Sequence, residues 1–90
     1  MNPLPETLKQ GIDDFVLHGL IPGDFLRSCL QNEFVESVLR ADDTSRQYFR
    51  EIAFYIYEYV PRECWGSPEK FVAWRKMKNE QRVAAKEGEK

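Results

Sequence analysis

Residues 44–61 read TSRQYFREIAFYIYEYVP, and the reading of this run decides the fold. At a period of about 3.6 residues, Tyr48, Phe49, Ile52, Ala53, Tyr55, Ile56, Tyr59 and Val60 fall on one broad side of a helix. The aromatic and β-branched content would also suit a strand, but Tyr48 to Val60 is too long a run for one. The segment therefore reads as a central helix over about 44–60. Thr44 and Gln47 have the spacing of a capping box at its start, and Pro61 closes it. An apolar side this wide needs several neighbours to cover it, so the rest of the chain should supply further helices. The narrow polar side holds Arg50, Glu51 and Glu58, but also Phe54 and Tyr57, which a one-sided core does not need.

Toward the C-terminus, Cys64 to Glu69 (CWGSPE) carries a helix start: Ser67 as N-cap, Pro68 in the first helical position, and Glu69 where the dipole favours an anion. Phe71, Val72, Trp74 and Met77 give that helix one apolar side. From Asn79 to Lys90 little apolar surface offsets the ordering entropy, which places the domain at 1–78 and a frayed tail at 79–90. Toward the N-terminus, Leu8, Ile12, Phe15 and Val16 mark an amphipathic first helix over about 5–18. Gly11 within it points to a close neighbour, and Gly19 suits the left-handed position at its end, with His18 in the last turn. Pro22 and Gly23 make a turn, after which Phe25, Leu26, Cys29 and Leu30 form a second helix from Gly23 or Asp24. The pattern breaks near Asn32 and restarts in a changed phase with Phe34, Val35, Val38 and Leu39, a third short helix reaching about Ala41. The expectation is one all-α domain of about five helices around the aromatic segment 44–60.

Ninety residues, 42% of them hydrophobic and 31% charged, close about one core and exclude a two-domain enzyme, a Rossmann fold or a barrel. Thirteen bases against fifteen acids give a net charge of −2, which lacks the basic balance of a dedicated nucleic-acid domain. The charge is unevenly spread: residues 1–44 hold three bases and eight acids, whereas residues 75–90 hold six bases and three acids. No basic-then-apolar leader opens the chain and no apolar run is long enough to span a bilayer, so a cytoplasmic protein without membrane contact is expected. Cys29 and Cys64 lack CxxC spacing and are read as reduced thiols. With His18 as the single histidine, neither a zinc site nor any other cofactor is implied.

Nothing spells out catalysis. Cys29 with His18 could be drawn as a thiol pair, but no spacing fixes it. Asp13 with Asp14 and Asp42 with Asp43 read as solvated or capping pairs, and the five glycines are scattered rather than gathered into a phosphate loop. A non-enzymatic role is expected. Binding is better supported. Trp65, in a loop beside Gly66, is either an interface anchor or a lid folded over the core. Phe54 and Tyr57, flanked by Arg50 and Glu58, form an interface patch for a protein partner or a second copy of the chain, unless the last helix covers them. A nucleic-acid role is the second expectation. The segment Glu33 to Arg40 has the wrong charge for a reading helix, so Arg75, Lys76, Lys78 and Arg82 would carry salt-sensitive, sequence-blind binding.

The stretch Ile21 to Leu26 (IPGDFL), Arg40 to Asp42, Tyr55 to Pro61, and Cys64 to Pro68 (CWGSP) followed by Trp74 together resemble a set of small uncharacterised proteins encoded by bacteriophages, prophages and mobile elements. The likeness covers about residues 4–75, and CWGSP is its more specific part. Relatives of this kind usually carry asparagine and alanine near Glu58 and Tyr59. The resemblance implies an accessory protein that works by occupying the surface of a host or phage protein, and supplies no catalytic residue.

Overall fold

A computed structural model describes residues 4–88, with side chains placed through Ala85. The described residues form six α-helices and no strand: α1 (Glu6–His18), α2 (Asp24–Leu30), α3 (Phe34–Arg40), α4 (Asp43–Arg46), α5 (Phe49–Tyr59) and α6 (Pro68–Gly88), with a short 3-10 turn at Arg62–Cys64 between α5 and α6. The chain is all-α, as its periodicity requires, and folds into one globule with extents of 46 × 25 × 21 Å.

The core joins α1, α2, α5 and α6. Ile12, Phe15, Leu26, Leu30, Ile52, Ile56, Val60, Cys64 and Phe71 are buried in it. Phe15 of α1 stacks on Phe71 of α6 with ring centroids 4.4 Å apart and planes 7° from parallel. Beside this stack, the indole N–H of Trp74 donates to the Val16 carbonyl at 3.1 Å, tying the two helices over a partly buried contact. Gly11 allows α2 to pass close: a Cβ there would lie 2.7 Å from Leu26 Cδ1. Gly19 ends α1 at φ 70°, where a side chain would meet Lys78 Cβ at 2.6 Å as well as the left-handed backbone penalty.

Several local signals act as read. Ser67 Oγ accepts from the Lys70 amide at 3.2 Å and Pro68 opens α6. Asn32 breaks the chain between α2 and α3 by adopting φ 62°. The expected single helix over 44–60 is instead two. Asp42, not Thr44, is the cap of α4, accepting from the Ser45 amide at 2.7 Å. α4 then ends after one turn, and α5 starts anew at Phe49. Tyr59, read as part of the apolar side, is exposed at the last residue of α5, and Val72 is exposed on α6. α6 continues unbroken through residues 79–88, the segment read as a frayed tail; from Glu80 to Ala85 every side chain is exposed.

Candidate functional site

α3 is placed with its apolar residues outward. Its polar edge is fastened to α2: Arg40 lies 3.2 Å from both Asp24 and Glu36, and Arg27 lies 3.4 Å from the same Asp24 carboxylate. The residue turned into the globule is Ser37, whose hydroxyl donates to the Phe34 carbonyl at 2.8 Å. With those two sides taken, the remaining arc of the helix carries Phe34, Val35, Val38 and Leu39, exposed by 76%, 65%, 41% and 73%. At about 100° per residue, Val35 and Leu39 lie across the helix from Ser37, while Phe34 and Val38 flank the side toward α5.

α5 divides the other way. Ile52, Ile56 and Val60 enter the core, and Phe54 and Tyr57 stay 47% and 58% exposed. α6 does not cover them. Between α3 and α5 runs an open groove of about 840 Å³, with buried Ile52 and Ile56 beneath and Phe34, Val38, Phe54 and Tyr57 along its walls. Trp65 closes one end, its ring edge-on to Tyr57 at 6.5 Å. The indole is packed against the core and also lines the groove. Its N–H is buried without an acceptor among the described residues. Arg62 also lies over the Tyr57 ring, 5.4 Å from its centroid. The charged residues lining the groove are one acid, Glu33, and one base, Arg50.

Cys29 lines the groove, but burial pushes this thiol up to about 11, and burial does the same to Cys64. Both are free, and at neutral pH both are thiols rather than nucleophilic thiolates. Among the described residues no group of His, Cys, Asp or Glu is arranged to hold a metal ion, and no helix is long and apolar enough to cross a membrane.

The four basic candidates all lie on α6: at about 100° per residue Arg75, Lys78 and Arg82 fall within about 60° of one another, and Lys76 stands off that face. Lys78 rests over the Trp74 ring, 5.1 Å from its centroid. Arg82 donates to Asn79, and Lys76 projects about a quarter turn from Arg75. Arg75 and Lys76 border a shallow hollow on α6 that also includes Val72, Glu80 and Val83.

Of the expected protein-binding set, the structure brings Arg50, Phe54, Tyr57 and Trp65 to one groove. It adds Phe34 and Val38 to that groove and leaves Val35 and Leu39 exposed on the outer arc of α3, four residues that the sequence reading treated only as the apolar side of a short helix. Their periodicity alone gave no signal of exposure, because the break at Asn32 uncouples the rotation of α3 from that of α2. No family model, curated protein or solved structure matches the chain.

Proposed function

We propose that this chain is a non-enzymatic protein-binding module whose docking surface is the α3–α5 groove. The observation that carries the reading is the continuous apolar exposure of Phe34, Val38, Phe54 and Tyr57 along that groove, extended outward by Val35 and Leu39. Aromatic side chains offer ~150 to 250 Å² each, so these six expose on the order of 600 Å², the upper end of what an isolated monomer carries as one patch. Leaving an apolar side chain in water forgoes roughly 1.5 to 3 kcal/mol of burial. A partner covering this face would recover that term. The IPGDFL and CWGSP motifs favour an accessory role in a phage or prophage setting, where short chains act by occupying protein surfaces. The basic set on α6 is the weaker candidate, because the chain as a whole carries a net charge of −2 and Lys76 stands about 100° around the helix from Arg75.

Affinity capture with the tagged chain, from nuclease-treated and untreated lysates of its own cell that also contain untagged chain, tests the reading. The expected result is a stoichiometric protein that survives nuclease treatment and is lost with Phe54→Ser combined with Tyr57→Ser, while circular dichroism shows the helices intact. Loss of all bound protein on nuclease treatment, or capture indifferent to the double substitution, would overturn it.

A further inference from the structure

We infer that the occupant of the α3–α5 groove is a second copy of this chain, docked about a two-fold axis. The inference rests on the reading of that face as a docking surface and assigns its partner. Three features of the surface converge on it.

The first is shape. A two-fold contact uses the same patch on both subunits, so the patch must be complementary to itself. This face carries a ridge and a hollow side by side. The crest of α3, with Val35 and Leu39 pointing away from buried Ser37, stands next to a groove with room for several side chains. A two-fold axis passing between them sets each copy's crest over the other's groove. A flat or purely concave patch could not do this.

The second is charge. The groove's charged residues are Glu33 and Arg50, one of each sign. Two such faces meet without net repulsion, and any Glu33 to Arg50 pairing across the axis is made twice. A strongly acidic or basic partner would find no matching field here.

The third is area. A stable association buries about 800 Å² per partner. The six exposed apolar residues supply on the order of 600 Å², and the half-buried Trp65 with the rim residues Glu33 and Arg50 extend the face toward that value. The buried centre would be aromatic and aliphatic, with charge at the edge, as subunit interfaces are built.

Sedimentation equilibrium or light scattering after size exclusion, on the purified full chain from low to high micromolar concentration, tests the proposal. The expected mass is twice the 10.6 kDa of one chain. Leu39→Glu and, separately, Phe34→Ser should return it to one chain mass with unchanged helical circular dichroism, since neither side chain contributes to the monomer's core. Val83→Glu, on the exposed far part of α6, should leave the doubled mass in place. A single-chain mass at every concentration overturns the second-copy assignment. Should lysate capture still depend on Phe54 and Tyr57 in that case, the groove stands as a docking surface for a different protein. A doubled mass that ignores Leu39→Glu and Phe34→Ser, or that Val83→Glu abolishes, also overturns the proposal by placing the contact elsewhere.

Discussion

The two sides of this molecule treat the same kind of residue in opposite ways. Where α1 meets α6, aromatic rings are stacked and the one polar atom brought inside, the Trp74 indole N–H, is given the Val16 carbonyl. Where α3 meets α5, apolar and aromatic side chains of similar size stand in solvent beside an open groove, and the indole N–H of Trp65 has no acceptor. Composition does not separate the two sides. Orientation does. α3 sits with Ser37 inward and Arg40 beside Asp24, and in that orientation its apolar arc has no neighbour. One side spends its hydrophobic surface on the fold, and the other leaves it exposed.

The strongest way to break this contrast is to truncate one phenylalanine on each side. Phe15→Ala removes a fully buried ring from the Phe15 and Phe71 stack and should cost ~3 to 5 kcal/mol, a large part of what a domain of this size has to lose. Phe34→Ala, at 76% exposure, should change monomer stability by no more than about 0.5 kcal/mol. Urea unfolding of both variants, compared with the wild type under conditions where all are single chains, gives the answer. Equal losses would mean that α3 contributes to the monomer's core after all.

The turns sharpen the same contrast at a smaller scale. Both sides use a left-handed residue to end a helix: Gly19 after α1 and Asn32 after α2. At Gly19 a Cβ would lie 2.6 Å from Lys78 Cβ and 3.2 Å from the Arg75 carbonyl, so Gly19→Ala combines backbone strain with displacement of α6. A loss of ~1 to 3 kcal/mol is expected. Asn32 is exposed and already pays the left-handed penalty with a side chain, so Asn32→Gly should stay within about 0.5 kcal/mol of the wild type. Thermal unfolding of the pair distinguishes a turn wedged against a helix from one that faces water. On the closed side, Trp74→Phe keeps most of the ring but strands the Val16 carbonyl. It should cost about 1 kcal/mol, and amide exchange near the α1 and α6 contact should rise before exchange elsewhere.

What the sequence made legible follows the same division. Helices whose ends carry a steric or hydrogen-bonding rule could be placed closely: Pro68 after Ser67 at α6, Gly19 after His18 at α1, and Asn32 between α2 and α3. The aromatic run at 44–60 was legible as helical but not as two helices, because nothing in its periodicity marks the break at Gln47 and Tyr48; the cap also lies two residues earlier than read, on Asp42, whose carboxylate accepts from the Ser45 amide. That hydrogen bond also holds the Asp42 carboxyl below its ordinary value. Phe54 and Tyr57 stood out because they sit on the polar side of α5, a conflict visible within one helix. The exposure of Phe34, Val35, Val38 and Leu39 was not visible in that way. It depends on how Arg40 and Ser37 rotate α3 against α2, a contact between helices that periodicity alone does not encode.

The remaining contrast concerns the hydroxyl that joins α5 to α1. Tyr55 donates its phenolic hydrogen to the Asp13 carboxylate, and burial first, then this hydrogen bond and the carboxylate's charge, push the phenol up to about 12. An unfolded chain would ionise its tyrosine near 10. Because the folded state holds this proton more tightly than the unfolded state does, the contribution to stability is complete below pH 10, falls as the pH rises between 10 and 12, and is gone above. Chemical denaturation across that interval should therefore show stability declining with pH, and Tyr55→Phe, which has no proton to lose, should flatten that part of the slope. Phenolate absorbance supplies an independent reading, since one tyrosine should ionise late in the folded protein and Tyr55→Phe should remove that late step. If the slope and the late step both survive the substitution, the hydrogen bond to Asp13 is not what holds this edge of α5, and the closed side of the molecule is sealed by ring packing alone.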